Sequence, residues 1–223
     1  KSRKIISKLK PNTKVDELEG NLRESMNKLK VNSLDTFLIH DSSDFKGEYG
    51  VELLEWLKGI RKRGLVERIG ASIYDYKELQ NIPLDEIQVV QLPLSIYDQR
   101  MILNGTLELL RRKGIAIHAR SIFMQGIILQ EERLPSFLTD RFREHHSKCV
   151  RSIKSKGLSM LSATLSFAKS QKTLETVIVG TTSAVELAQT INAWNNTVHI
   201  DSKEYKNWAW EKEYDVDPRF WKS

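Results

Sequence analysis

The feature that most constrains the fold is a regular alternation of short apolar segments with amphipathic segments of helical period. The short segments predict six strands, at Lys4–Ser7, Thr36–Ile39, Glu67–Ala71, Gln88–Leu92, Ile115–Ala119 and Thr176–Val179. They are apolar at consecutive positions, which is typical of strands buried on both faces of a parallel sheet. Between them, apolar residues recur every three or four positions, as at Val15, Leu18, Leu22, Met26 and Leu29, and this spacing predicts helices.

The strict βαβα order implies a parallel α/β sheet, either doubly wound or closed as a (β/α)₈ barrel. A doubly wound nucleotide-binding fold usually carries Gly-x-Gly-x-x-Gly after its first strand, and this chain has no such motif there, which favours the barrel. Polar residues follow or end each predicted strand: Lys8, His40, Ser72, Gln91, Arg120-Ser121 and Gly180-Thr181-Thr182. Because the carboxyl ends of parallel strands share one face, a functional site is expected there.

Composition excludes several classes of function. The chain has 35 basic and 29 acidic residues, a formal net charge of +6, but the basic residues are scattered along helices, so no nucleic-acid partner is expected. No apolar run approaches the ~20 residues that cross a bilayer, so no membrane partner is expected. The single cysteine, Cys149, excludes an intramolecular disulfide and suits a reducing, cytoplasmic location. The nearby pair His145-His146 is expected on a solvated helix surface, so no metal site is predicted.

Three segments resemble the aldo-keto reductase family. Ile-Ile-Ser-Lys8 is similar to the family's strand that ends in Thr-Lys, and Leu34-Asp-Thr-Phe-Leu-Ile-His40 is similar to its Leu-Asp-Leu-Tyr-Leu-Ile-His segment. Gly64-Leu-Val-Glu-Arg-Ile-Gly-Ala-Ser72 is similar to its Gly-Lys-Val-Arg-Ile-Gly-Val-Ser segment. Gln91, Ser121 and Gly180 follow in order. The resemblance covers nearly the whole chain and implies a (β/α)₈ barrel that reduces an aldehyde or ketone to an alcohol with NAD(P)H.

The resemblance also implies a missing part. The family's barrel has eight strands, and its catalytic Asp and Tyr belong to the first two βα units, which would precede Lys1. We therefore expect residues 1–223 to form a single barrel domain truncated at its N-terminus, and to be inactive alone. The aromatic tail, at about residues 200–223, is expected either to close over a substrate pocket or only to dock on the barrel.

Lys8 and His40 match the family's catalytic positions. A tyrosine with a pKa near ~10 is a poor acid at neutral pH unless its anion is stabilised, and the resemblance gives that role to the Lys8 ammonium. It gives His40 a hydrogen bond to the carbonyl oxygen of the substrate. Taken alone, Lys8 also fits a solvated lysine in a basic segment, and His40 fits a structural histidine; their joint position at neighbouring strand ends favours catalysis.

Ser72 and Gln91 match positions that bind the nicotinamide carboxamide, which needs both donors and acceptors. Ile73 departs from the family, which commonly has Asn there. Arg120 stands where many members carry an aromatic ring that stacks on nicotinamide; its planar guanidinium can stack or pair with phosphate. The segment Ser121–Gly126, which includes Gln125, resembles the loop that wraps the pyrophosphate.

Gly180, Thr181 and Thr182 precede the last main helix and suit the adenosine phosphate, because helix starts bind anions. Glu186 stands where some members carry Arg, and it also fits a helix cap with Ser183. The cofactor is predicted as NADPH, with NADH as the alternative, beside a small carbonyl substrate. Two other functions stay open at this point: a catalytically impaired family member that binds cofactor or a protein partner, and an unrelated barrel enzyme such as a lyase or isomerase.

Overall fold

A computed structural model describes residues 4–221. Contacts divide the chain into two compact units. The first contains the residues up to Leu92 together with Thr106–His118, and the second contains Pro93–Gly105 together with the residues from Ala119 onward. The extreme ends of the predicted domain and tail, residues 1–3 and 222–223, lie outside the described part. That the chain is one domain stays a prediction.

All six predicted strands are present and form one sheet, in the order in which they occur along the chain. Their bounds are β1 Ile6–Leu9, β2 Leu34–Ile39, β3 Val66–Ser72, β4 Val89–Pro93, β5 Ala116–Arg120 and β6 Leu174–Val177. The first four pair in parallel. The predicted parallel α/β class is thus confirmed, and β1 and β6 are the two ends of the strand order.

The strands alternate with helices, as the apolar periodicity predicts. Within residues 4–221 the α-helices are α1 Leu18–Leu29, α2 Gly47–Lys62, α3 Arg100–Leu103, α4 Thr106–Arg112, α5 Asp140–Ser155, α6 Met160–Ser170, α7 Ala184–Asn195, α8 Ser202–Trp208 and α9 Glu213–Val216. Short 3₁₀ segments follow β2, β3 and β5. In the described chain, no helix is long and apolar enough to cross a membrane.

Every predicted strand has at least one limit that is wrong by one or two residues, and the first and last strands illustrate this. The composition predicts that the first strand ends at Ser7, with Lys8 beyond it, but Lys8 lies inside β1. The reason is backbone pairing: Lys8 and Leu9 continue the ladder with Leu38 and Ile39 of β2. The last strand begins and ends two residues earlier than predicted. Hydrogen-bond partners on a neighbouring strand set these limits, and those partners are not visible in the apolar run itself.

The core of the first unit lies between the sheet and the helices α1 and α2. The apolar stripe of α1 buries Leu18, Leu22 and Met26, as its three- and four-residue spacing predicts. These side chains belong to one buried cluster with Phe37 and Ile39 of β2, among others. Packing of this stripe fixes the strands of the first unit, and so it fixes the polar residues at their carboxyl ends.

Gly70 of β3 marks a very close approach between neighbouring strands. It is the register partner of Leu38 on β2 and of Val89 on β4. A Cβ atom at Gly70 would lie 2.0 Å from the carbonyl oxygen of Val89 and 2.9 Å from Cδ2 of Leu38. The Leu38 methyl group can rotate away, but the backbone carbonyl of Val89 cannot move without disturbing the pairing of β3 with β4, so glycine fits this point of the sheet.

Buried charges hold the C-terminal segment on the second unit. The Arg100 guanidinium donates to Asp98 at 2.9 Å and to Glu213 at 2.6 Å. Asp215 is buried and accepts hydrogen bonds from the Thr139 backbone N–H, at 2.9 Å, and from the Trp210 indole N–H, at 3.0 Å. Because a buried charge is stable only when it is paired, these contacts fix where the segment after α8 lies within this unit.

Candidate active site

In the first unit, Lys8 reaches the end of β3. Its ammonium Nζ donates to the Ser72 hydroxyl at 3.3 Å, although 64 residues separate them in sequence. Lys8 is half-buried and Ser72 is 2% exposed. The order β1-β2-β3 puts one strand between them, so the long lysine side chain spans β2 to reach Ser72. The structure thus brings together two residues for which the sequence predicts different roles.

Gln91 lies beside Ser72. The two residues are register partners on β3 and β4, and Gln91 is 3% exposed. The Ile73 backbone N–H donates a hydrogen bond to the Gln91 backbone carbonyl oxygen at 2.9 Å, so β3 and β4 stay paired at this point. Ile73 itself is buried and offers an apolar side chain where the family commonly has an amide. Lys8, Ser72 and Gln91 therefore form one polar group at the carboxyl ends of the strands.

His40 follows β2 directly and is exposed. Leu38, two residues before it, is the register partner of Lys8. Because a strand rises ~3.4 Å per residue, His40 lies about 7 Å further along the strand direction than Lys8 does. An exposed imidazole next to a polar group of buried and half-buried side chains is accessible to a ligand.

The second unit contains a cavity of about 390 Å³ between the segment after β5 and the start of α7. Its lining is mostly apolar or small, with hydroxyl and amide groups among it: Ser121, Ile122, Phe123, Gln125, Gly126, Leu129, Ile178, Val179, Gly180, Thr182 and Glu186. Six of the predicted cofactor-binding residues line it. Thr181 does not belong to the lining, although its two neighbours do.

The segment after β5 has an unusual backbone. Ser121, Met124 and Gln125 have positive φ angles of 60°, 46° and 53°, and Gly126 has a φ of 90°. Non-glycine residues rarely adopt this region, and such strain concentrates at ligand sites. Two backbone hydrogen bonds hold the turn, Met124 N–H to Ser121 O at 2.8 Å and Gly126 N–H to Phe123 O at 2.9 Å. The space where a Gly126 Cβ would lie is open.

Arg120 ends β5 and adjoins this cavity. Its guanidinium Nη1 donates to the Ser121 hydroxyl at 3.3 Å, and Ser121 belongs to the lining. The arginine is half-buried. The Arg120 cation is therefore hydrogen-bonded to one hydroxyl group of the cavity lining.

At the start of α7, the carboxylate of Glu186 accepts hydrogen bonds from polar groups that precede the helix. Glu186 Oε2 accepts from the Thr182 backbone N–H at 2.7 Å and from the Thr182 hydroxyl at 2.9 Å. The Ser183 hydroxyl accepts from the Glu186 backbone N–H at 3.1 Å and caps the helix. The Thr182 amide and hydroxyl hold the pKa of Glu186 below its usual value. The polar atoms of Thr182 are therefore already engaged by Glu186.

The expectation for the pair His145-His146 is wrong: His146 is 1% exposed. Its Nδ1 lies 2.8 Å from the Tyr97 hydroxyl and its Nε2 lies 2.6 Å from the Gln130 carbonyl oxygen. The carbonyl only accepts, so Nε2 carries the proton and Tyr97 donates to Nδ1. The sequence does contain the signal, because Phe142, His146, Cys149 and Ile153 share one buried stripe of α5.

Burial sets the titration of this cluster. It lowers the pKa of His146, raises the pKa of Cys149 to about 12 and raises the pKa of Tyr97. Tyr97 is therefore a poor proton donor at neutral pH. Over the residues that the structure describes, no group of three or more His, Cys, Asp or Glu side chains is arranged to hold a metal ion.

The aromatic tail packs within the second unit. Trp208 is 1% exposed, and the ring of Trp210 lies 5.5 Å from that of Phe142 and 4.9 Å from that of His145. Tyr214 and Phe220 stay exposed and stack at 6.1 Å. The packing of the two tryptophans favours docking on the fold, and a role of the tail over substrate stays a prediction.

A parallel sheet that alternates with helices and has polar residues at the carboxyl ends of its strands defines the class of α/β proteins, in which ligand sites lie at those strand ends. Within it, the family model of the aldo/keto reductase family matches residues 2–210, and the chain belongs to that family. Membership puts it among the NAD(P)H-dependent oxidoreductases and confirms the resemblance. The sequence matches no curated protein.

Solved structures share the fold at low identity. The apo form of aldo-keto reductase AKR11C1 from Bacillus halodurans has a TM-score of 0.75 at 15% identity, and the match covers 91% of this chain and 69% of that one. An aldo-keto reductase from Klebsiella pneumoniae in complex with NADPH has a TM-score of 0.68 at 16% identity, covering 95% and 72%. A Klebsiella pneumoniae aldo/keto reductase in complex with NADP and acetate has a TM-score of 0.66 at 17% identity, covering 92% and 68%.

Proposed function

We propose that the protein to which this chain belongs reduces a small aldehyde or ketone to an alcohol, with hydride from a nicotinamide dinucleotide, in the cytoplasm. One observation carries the proposal: the hydrogen bond from Lys8 Nζ to Ser72 Oγ at 3.3 Å. It joins the residue proposed to stabilise the anion of the proton donor to a residue proposed to bind the nicotinamide carboxamide. Hydride transfer needs such closeness, because the reacting atoms must approach to about 3–3.5 Å.

The roles follow from the chemistry of each side chain. A bound nicotinamide dinucleotide supplies the hydride. Lys8 provides a positive charge that stabilises the anion of the proton donor, and His40 donates a hydrogen bond to the substrate's carbonyl oxygen. The Ser72 hydroxyl and the Gln91 amide orient the carboxamide, since both can donate and accept. The family's Tyr and Asp have no counterpart in these 223 residues, so we propose that this stretch alone does not turn over.

The cavity of the second unit fits the phosphate-bearing part of a dinucleotide. Its volume of about 390 Å³ is within the usual range for ligand pockets. Gly126 and Gly180 line it, and a Cβ at either would meet no atom within 4 Å, so a ligand can approach the backbone closely. The Ser121 hydroxyl and the Gln125 amide supply hydrogen-bond donors, and Arg120, bonded to Ser121, supplies the positive charge for a pyrophosphate.

Dinucleotide binding tests this assignment. We expect NADH or NADPH to quench the tryptophan fluorescence of the natural full-length protein with micromolar affinity. A Gly180→Val variant should bind at least about 10-fold more weakly, because the new side chain enters open space in the cavity without strain. Gly59→Val on α2, where the space is also open, is the matched control. No binding of either dinucleotide at millimolar concentration would remove the proposed function.

A further inference from the structure

A second cavity of the second unit lies outside the proposed dinucleotide site. It has a volume of about 410 Å³ and is bounded by the end of α6, the segment that joins α7 to α8, and α8 itself. Its lining combines cationic, hydroxyl and apolar side chains: Ser166, Lys169, Ser170, Lys172, Thr197, Val198, His199, Ile200 and Tyr205. None of these nine described residues is acidic, and none of them lines the cavity at the start of α7. The charge of this lining therefore suits an anion.

Tyr205 contributes a buried hydroxyl to this lining. The residue is 5% exposed, and its ring packs edge-on against the rings of Phe167 and Trp208 at centroid distances of 5.1 and 5.7 Å. Within the described chain, the Tyr205 hydroxyl has no hydrogen-bond partner. The neighbouring Ser170 hydroxyl is engaged elsewhere, because it donates to the Phe167 carbonyl oxygen at 2.7 Å and accepts from the Gln171 amide at 2.9 Å. A buried hydroxyl is costly unless it is hydrogen-bonded, so a ligand that accepts its proton would remove this cost.

Two further side chains of the lining have donors that other described groups do not use. The buried Ser166 hydroxyl accepts from the Val198 backbone N–H at 3.1 Å, which leaves its own proton available. Lys172 is exposed, and the described part of the chain gives its ammonium group no ion pair. Lys169 differs, because its Nζ donates to the Trp194 carbonyl oxygen at 2.8 Å and lies 5.3 Å from the centroid of that ring. Lys169 therefore adds positive charge to the cavity, whereas Lys172 can also donate hydrogen bonds.

The acidic residues nearest to the lining in sequence do not neutralise this charge. Asp201 caps α8 by accepting from the Lys203 backbone N–H at 2.8 Å, and Glu204 pairs with Lys156 at 3.1 Å. Neither carboxylate belongs to the lining. The carbonyl oxygens at the end of α6 disfavour an anion, but that of Phe167 already accepts a hydrogen bond, which reduces the repulsion. An anion in this cavity thus meets positive charge and available hydroxyl protons.

We propose that this cavity binds a small oxyanion, the phosphate or carboxylate group of a small organic molecule. The Lys172 ammonium pairs with the charge, and the hydroxyls of Tyr205 and Ser166 donate to the oxygens. The apolar side chains of Val198 and Ile200 contact the remainder of the molecule. The site shares no lining residue with the cavity assigned to the dinucleotide, so it does not depend on the proposed function.

Calorimetric titration of the natural full-length protein at constant ionic strength tests the site, with inorganic phosphate and sodium acetate as separate probes. We expect saturable binding of phosphate and weaker binding of acetate, which carries less charge. Tyr205→Phe and Lys172→Met should each weaken phosphate binding by at least about 10-fold, the scale of one hydrogen bond to a charged group. Tyr214→Phe and Lys206→Met, at exposed positions outside the lining, are the matched controls and should leave binding unchanged.

A second measurement separates ligand binding from folding. Because the Tyr205 hydroxyl has no partner to lose, Tyr205→Phe should retain the wild-type free energy of unfolding in phosphate-free buffer. The same variant should lose the additional stability that bound phosphate gives the wild type. Phosphate also stabilises proteins by exclusion from their surface, but this effect should be equal in the variant and the wild type.

The outcomes decide both the site and its ligand. If acetate binds more tightly than phosphate, with the same dependence on Tyr205 and Lys172, the site stands and its ligand is a carboxylate. Absence of saturable binding of both anions overturns the proposal. Binding that both variants retain also overturns it, and loss of that binding in Gly180→Val would assign the anion to the cavity at the start of α7. Should Tyr205→Phe not fold, Lys172→Met decides, because its side chain is exposed.

Discussion

At the scale of single residues, the hydrogen bond between Lys8 and Ser72 connects two requirements that a reductase must meet together. The ammonium must stay charged close to a buried hydroxyl, and Ser72 is 2% exposed. A charge-assisted hydrogen bond meets this need, because it offsets part of the cost of removing the ammonium from water. The lysine is consequently held at the end of β3 rather than extended into solvent.

Replacement of Lys8 and His40 tests this arrangement in the natural full-length protein. Lys8→Met should lower kcat by at least ~100-fold, the usual scale for loss of acid–base assistance, with a smaller effect on the dissociation constant of the cofactor. His40→Ala should lower kcat and raise KM for the carbonyl together. Lys10→Met, an exposed neighbour, is the control. Wild-type rates in both variants would show that this pair is not catalytic.

Residue-scale prediction succeeded where chemistry and strand position coincide. Ser72 and Gln91 follow apolar runs, and their pairing on adjacent strands is what parallel strand ends dictate. His146 was misassigned because a histidine is polar by type, and its partner Tyr97 lies 49 residues away. The predicted helix cap is present, because the Ser183 hydroxyl accepts from the Glu186 backbone N–H, but the sequence does not predict the further contact of the Glu186 carboxylate with Thr182. Only the folded backbone decides which of two adjacent amides a glutamate reaches.

At the scale of elements, helix α5 anchors the segment that lines the cavity. His146 on this helix donates to the carbonyl of Gln130, which directly follows the lining residue Leu129. Tyr97 holds the other side of the imidazole at 2.8 Å. The His146 imidazole is neutral and buried. Its two hydrogen bonds exist together only when the ring proton is on Nε2.

Removal of this anchor should destabilise the protein. His146→Phe keeps a ring but removes the histidine partner of the buried Tyr97 hydroxyl, at a cost of about 1–3 kcal/mol, whereas water can replace the histidine at the carbonyl of the exposed residue Gln130. His199→Phe, at an exposed position outside this cluster, is the control. Urea unfolding followed by circular dichroism measures the difference. An unchanged unfolding free energy would show that the two hydrogen bonds do not contribute.

The same histidine gives stability a pH dependence with a definite sign. Burial lowers the pKa of His146 in the folded state, so the unfolded chain binds the proton first as pH falls below about 6.5. The contribution of neutral His146 to the unfolding free energy is fully present above that pH. It is lost as the pH decreases toward the pKa of His146 in the folded state. The neighbouring His145 also opposes protonation, whereas Glu131 favours it. The decrease in the free energy of unfolding between pH 7.5 and pH 5 should therefore be smaller in His146→Phe than in the wild type.

The existence and order of the strands followed from the sequence more securely than their limits did. Buried parallel strands are marked by continuous apolar runs, and all six runs became strands. Lys8 lies inside β1 because β2 continues to offer partners opposite it. The left-handed turn from Ser121 to Gly126 was not predicted either, since Ser121 and Gln125 have no intrinsic preference for positive φ.

At the scale of the whole molecule, the chain covers 69–72% of the length of the AKR11C1 and NADPH-bound Klebsiella structures. Large apolar side chains are exposed on α7, including Leu187 at 44% and Ile191 at 51%. Apolar surface of this kind favours association. The exposed apolar surface therefore affects the solubility of a polypeptide that consists of these 223 residues alone.

We expect a polypeptide of these residues alone to show no measurable carbonyl reduction with either cofactor, and to aggregate. Light scattering, an activity assay and intact mass measurement test this together. Ile191→Glu should reduce aggregation, whereas Val51→Glu, at an even more exposed apolar position of α2, should not. A monodisperse 25.8 kDa species with robust reductase activity contradicts the expectation and requires another acid, with Tyr74 the first tyrosine to replace because Tyr97 is buried.

The close approach at Gly70 has a consequence for how this sequence can diverge. A side chain here would collide with the backbone carbonyl of Val89, so the sheet depends on a residue for which no part in the chemistry is proposed. Lys8 and His40 are half-buried or exposed, and neither belongs to the buried core. A lineage can therefore lose the chemistry proposed for Lys8 and His40 by point mutation and still inherit an intact scaffold, whereas a side chain at Gly70 disturbs the scaffold itself.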